Sequence, residues 1–140
     1  MNNLEKAKQI LSDGEYTCVL ANEKITLSTK ERGVKPLVKW LESSLDFHDF
    51  SAADKVIGKG AAFLYLLLGI KSIYAFVIST PALELLRERN VYVEYSQEVD
   101  NIINRQGTGI CPFEEAVLPI TDEKLAYQLI KEKMQNLGIK

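Results

Sequence analysis

The sequence predicts a three-layer α/β domain in which a mixed sheet is flanked by helices. Three observations carry that expectation. Two β-prone runs, 16–21 and 24–29, are separated only by Asn22 and Glu23, as in an antiparallel hairpin. The stretch 51–79 is apolar almost throughout. It reads as a buried helix over 52–68, a stop at Gly69 and a buried strand over 72–79. That strand, a helix over 81–89 and a second strand over 91–95 then form a compact βαβ unit, which demands two parallel strands and a right-handed crossover.

Composition narrows the class. The chain has 140 residues, enough for one domain (1–140) with a sizeable core. Hydrophobic residues make up 46% and charged residues 26%, as in ordinary globular proteins. A formal charge of −2 argues against nucleic-acid binding driven by phosphate neutralisation. The longest apolar run, 61–70, is too short to cross a bilayer, and residues 1–10 lack the apolar core of a secretory signal. Two distant cysteines do not make a disulfide framework. A cytoplasmic location is the expectation, and self-association is compatible with the composition.

Each element has a local reason. Residues 4–12 place Leu4, Ala7 and Leu11 on one helical face, with Asn3 as cap and Gly14 as stop. Pro36 suits the first turn of a helix whose apolar stripe includes Leu37, Val38, Trp40 and Leu41. Ser51 and Asp54 have the spacing of a capping box at the head of the long apolar helix. Strand 72–79 is apolar between its ends, as in a strand covered on both faces. Thr80 is placed to cap the next helix, with Pro81 in its first turn. A polar segment, 100–109, leads to a short helix opened by Cys111 and Pro112. Thr121 then caps a last helix with Leu125, Leu129, Ile130, Met134 and Leu137 facing inward. The only histidine, His48, falls in a polar loop and reads as a surface residue.

Four motifs extend the reading: Glu31-Arg32-Gly33; Ala53-Asp54-Lys55-Val56-Ile57-Gly58-Lys59; Ile78-Ser79-Thr80-Pro81-Ala82; and the run from Ile103 to Pro112 containing Asn104, Arg105, Gly107, Thr108 and Gly109. In order and spacing, the chain resembles a small prokaryotic family of uncharacterised proteins assigned to the cytidine-deaminase-like fold. The resemblance implies a fold and leaves activity open. Working deaminases bind catalytic zinc through a His or Cys at the start of the central helix and two Cys in a PCxxC turn. Here Ala82 and Leu85 stand where the thiolates would be, and the start of the central helix offers Asp54, Val56 and Lys59. No metal and no cofactor are therefore expected.

The candidate site gathers at two places. Asp54 is a capping carboxylate, a site carboxylate, or both. Lys55 and Lys59 would share a helical face, and Lys59 is either a snorkelling side chain or a phosphate partner. Gly58 and Gly60 inside a helix each cost about 1 kcal/mol against alanine, offset by close packing or by close approach of a ligand. Gly107, Thr108 and Gly109, with Asn104 and Arg105 nearby, could form an anion-binding loop or a plain turn. Cys111 at a helix start is either a reactive thiol or a packing residue. The head of the central helix and the loop 104–111 should face one pocket at the carboxyl end of the sheet.

Three functions compete. The first is a metal-free deaminase-like domain binding a small anionic ligand, nucleotide-like by fold analogy alone. The second is an enzyme of non-deaminase chemistry using Asp54, Lys59 or Cys111. The third is a structural or regulatory partner protein with a remnant site.

Overall fold

The structure, a computed structural model, describes residues 2–139. Its elements in chain order are α1 (Asn3–Asp13), β1 (Cys18–Ala21), β2 (Thr26–Thr29), α2 (Lys35–Glu42), β3 (Ser51–Ile57), α3 (Lys59–Leu68), β4 (Ser72–Ser79), α4 (Thr80–Glu88), β5 (Tyr92–Val99), α5 (Pro112–Glu115) and α6 (Glu123–Asn136). The strands form a mixed sheet in the order β2-β1-β3-β4-β5. β1 is antiparallel to β2 and to β3, while β3, β4 and β5 run parallel. The expected hairpin and βαβ unit are thus present. The hairpin turn is longer than expected, spanning 22–25, and the Asn22 side chain accepts the N–H groups of Lys24 and Ile25.

The largest departure from expectation is at 51–57, which is a strand and not the first half of a helix. β3 pairs on both sides, with Asp54 opposite Cys18 of β1 and Ala75 of β4. Two ladders satisfy its backbone as fully as a helix would, and the small Ala52 and Ala53 are completely buried between the layers. There is accordingly no capping box at Ser51. Gly58, in extended conformation, is the residue before α3, and Gly69 at φ +80° closes it.

Neighbouring caps shift by one residue. Asn2 caps α1, Ser79 caps α4 and Asp122 caps α6, each accepting a backbone N–H in the first turn. The expected caps at Asn3, Thr80 and Thr121 lie inside or just outside these positions.

The main core lies between the sheet and the helices α2 to α6, with Phe63, Leu64 and Tyr65 of α3 fully buried at its centre. α1 packs on the opposite face, against β1, β3 and β4. It leaves part of that face open. β4 sits inside the sheet, yet its Phe76 is 54% exposed, so it is not covered on both faces. Leu66 and Leu67 of α3 are half-buried, and Leu125 of α6 and Leu137 just after it are exposed. Trp40 packs against the core edge near Phe47. His48 is exposed and pairs with Asp46, whose carboxylate raises the imidazole pKa.

Candidate functional site

A cleft of about 450 Å³ opens where β3 gives way to α3. Its floor holds Asp54, Cys18, Gly58, Gly60 and Ala61. One wall comes from the loop before α2, with Glu31, Arg32, Gly33 and Val34. The other comes from the segment after β5, with Ile102, Ile103, Arg105, Cys111 and Phe113. The carboxyl end of a parallel strand meets a helix start here, the place where open α/β sheets gather ligands.

Asp54 is half-buried and firmly held. Tyr65 donates its hydroxyl to Oδ2 at 2.6 Å, and the Val56 N–H reaches Oδ1 at 3.3 Å. The Tyr65 hydroxyl gives its only proton to Asp54, so the Cys18 thiol, 3.1 Å away, must donate to the Tyr65 oxygen. A chain Cys18 to Tyr65 to Asp54 results. Burial pushes the Asp54 carboxyl up to about 6, against the opposing pull of these hydrogen bonds. Burial and the Asp54 charge push the Cys18 thiol and the Tyr65 phenol well above their ordinary values.

The cleft carries two arginines, Arg32 and Arg105, one on each wall. Both are exposed, and neither forms an ion pair or side-chain hydrogen bond among the described residues. Glu31, by contrast, is bonded to Lys35 and Lys39. Lys55 is a strand residue that borders both this cleft and the open sheet face beside α1. Lys55 and Lys59 therefore do not share a helical face. Lys59 begins α3 and donates Nζ to the Leu118 carbonyl at 2.6 Å, with burial lowering its pKa.

Glu114 has no special mark in the sequence and proves decisive. It is 1% exposed and accepts the N–H of Lys59 at 2.8 Å, the N–H of Ile102 at 2.5 Å and the hydroxyl of Ser79. One internal carboxylate thus joins the start of α3, the cap of α4 and the segment after β5. The positive end of α3, expected to receive a ligand anion, is already occupied by it.

The paired glycines serve the same junction. A Cβ on Gly60 would lie 2.9 Å from the Phe113 carbonyl, and one on Gly58 would lie 3.1 Å from the Ile102 side chain. Close packing against the segment 102–114 accounts for both.

The loop 104–109 closes on itself. Gly107 N–H donates to the Asn104 carbonyl, and Thr108 N–H donates to Asn104 Oδ1. These amides are spent in a turn and do not converge on a ligand. Asn104, Gly107, Thr108 and Gly109 do not line the cleft, whereas Arg105 and Cys111 do. Cys111 precedes α5 without capping it and packs against the core.

Ala82 and Leu85 are buried apolar residues at the start of α4. Among the described residues no three His, Cys, Asp or Glu side chains form a metal-holding group. Nor is any helix long and apolar enough to cross a membrane.

Sheet order and cleft together define a mixed α/β domain with a polar-rimmed cleft at the β3–α3 junction. The chain belongs to the family described as Domain of unknown function (DUF1893), which matches residues 6–134. It is similar to a DUF1893 family protein from Thermotoga maritima whose crystal structure superposes with a TM-score of 0.86. The two are 27% identical over 94% of this chain and 89% of that one. No protein of curated function matches.

Proposed function

We propose that this protein is a metal-free, cytidine-deaminase-like domain that binds a small anionic ligand in the cleft between Arg32 and Arg105. The observation that carries the reading is the pair of exposed arginines on opposite walls, neither with an ion pair or side-chain hydrogen bond among the described residues. Arginine offers planar, bidentate donors to phosphate or carboxylate, and these two flank one cleft. Between them, Val34, Leu37, Ile102 and Phe113 supply apolar wall, and Asp54 waits below as an acceptor. A nucleotide has that sequence of parts: an anion, an apolar planar ring and a hydrogen-bond donor. The progression of hairpin, strand, helix, parallel strand, helix and parallel strand supports the deaminase-like reading of the scaffold. The absence of ligand-bearing side chains at Ala82 and Leu85 supports the metal-free part.

The test is thermal denaturation with nucleoside monophosphates, sugar phosphates and dicarboxylates. A ligand at 100 times its Kd stabilises by about 2.7 kcal/mol, which is readily seen. Stabilisation by a phosphate ester, lost in both Arg32→Ala and Arg105→Ala, is the expected result. No response to any anion, or responses unchanged in both variants, would end the reading.

One observation favours catalysis at the same place. A carboxyl titrating near 6 on a cleft floor can hold or accept a proton at neutral pH. Asp54 would act as the acid or base, with Cys111 on a wall of the same cleft. Turnover lost in Asp54→Asn with ligand binding retained would establish that reading.

A further inference from the structure

We infer that Tyr65 and Cys18 hold Asp54 as a one-sided acceptor, so that the cleft selects anionic ligands carrying an N–H or O–H donor at the end remote from the anion. The inference rests on the anion site between Arg32 and Arg105 and specifies what the other end of the ligand must be.

Among the described residues three carboxylates line the cleft: Glu31, Asp54 and Glu114. Two of them are spent inside the protein. Glu31 is shared by Lys35 at 3.3 Å and Lys39 at 3.2 Å. Glu114 is buried and takes the N–H groups of Lys59 and Ile102 and the Ser79 hydroxyl. Asp54, half-buried, keeps capacity. An ionised carboxylate offers about four lone-pair sites. Tyr65 fills one on Oδ2, and the Val56 N–H reaches Oδ1 only at 3.3 Å.

The donor on Oδ2 is fixed. Tyr65 is completely buried, with Asp54 on one side of its hydroxyl and the Cys18 thiol on the other. Cys18 is itself buried, so the chain ends inside the core and has nowhere to pass a proton on. What it sets is direction. Sulfur is a weak acceptor, so the Tyr65 proton stays with Asp54 and Oδ2 is not available to a ligand. α3 is apolar from Gly60 to Leu68 apart from Tyr65, and phenylalanine would fill that position with no buried hydroxyl to satisfy. The chain therefore serves Asp54 and not the packing of the core. Oδ1 is left for the cleft, and above pH about 6, where Asp54 is ionised, it accepts and does not donate.

Calorimetric titration at pH 8 with phenyl phosphate, para-aminophenyl phosphate and para-acetylphenyl phosphate tests this. The three share an anion and a ring and differ at the far end, which carries no polar group, a donor or an acceptor. The wild type should bind the amino compound about tenfold or more tightly than phenyl phosphate, and the acetyl compound no better than phenyl phosphate. In Asp54→Asn the amide oxygen stays with the Tyr65 hydroxyl and the NH2 group takes the place of Oδ1, so the preference should invert toward the acetyl compound. In Tyr65→Phe, which conserves volume and should fold by circular dichroism, the amino preference should shrink severalfold. Equal affinity of the wild type for the amino and phenyl compounds, an unchanged preference in Asp54→Asn, or a full preference in Tyr65→Phe would overturn the inference and leave the anion site standing. No binding of any of the three to the wild type would remove the anion site, and the inference with it.

Discussion

Asp54→Asn should stabilise the fold at neutral pH. In the unfolded chain the carboxyl titrates near 3.8, and in the folded protein burial raises it to about 6. The folded state therefore holds the proton more tightly across that interval, and stability falls as pH rises from about 4 to about 6. Below the interval both states are protonated and nothing is lost. Above it the full cost is present, and at about 1.4 kcal per mole for each pH unit it comes to about 3 kcal/mol. Asparagine keeps an oxygen for the Tyr65 hydroxyl and carries no charge to bury. Urea unfolding of wild type and variant from pH 4 to pH 8 gives the comparison directly. The variant should gain up to about 3 kcal/mol at pH 8, and the gain should vanish near pH 4. A variant that is less stable at pH 8, or whose difference from wild type is independent of pH, would refute the reasoning. A gain would also mean that the carboxylate is kept at a cost in stability, as functional groups often are.

The junction around Glu114 supplies two further expectations. Glu114→Ala removes the acceptor for two backbone N–H groups and the Ser79 hydroxyl, so chemical denaturation should show a loss of about 3 kcal/mol or more. An effect below about 1 kcal/mol would show that water replaces the carboxylate freely. Gly60→Ala should destabilise by about 1–3 kcal/mol, because its Cβ would press on the Phe113 carbonyl. Helix propensity alone favours alanine by about 1 kcal/mol, so a more stable Gly60→Ala would remove the close-packing explanation.

Much of the fold was legible where a pattern is local. The hairpin, the βαβ unit and the amphipathic helices α1 and α6 follow from spacing and turn residues, with caps off by one position because Ser, Thr, Asn and Asp compete for the same role. The stretch 51–57 was not legible. Ser51 and Asp54 imitate a capping box, and the two alanines have no strand preference. β3 exists because β1 and β4 pair with it from either side, which is tertiary information. Gly58, poor inside any helix, was the one local signal against a continuous helix.

The site divides along the same line. Asp54, Gly58, Arg105 and Cys111 reach one cleft, while Lys59 and the glycine loop are engaged elsewhere. Arg32 lies in the Glu31-Arg32-Gly33 motif, whose spacing alone assigns it no role. Glu114, Cys18 and Tyr65 gain theirs only from partners far away in sequence, so no spacing could have marked them.

The most direct test of the central claim is to locate ligand contact residue by residue. Backbone amide spectra of the labelled protein, titrated with a nucleoside monophosphate, report every amide that senses the ligand. Saturable shifts should concentrate at Arg32, Gly33, Asp54, Gly58, Arg105 and Cys111, and should disappear in Arg32→Ala. Shifts confined to the open sheet face around Tyr74 and Phe76, or no saturable shift with any phosphate ester, would contradict the assignment of this cleft as an anion site.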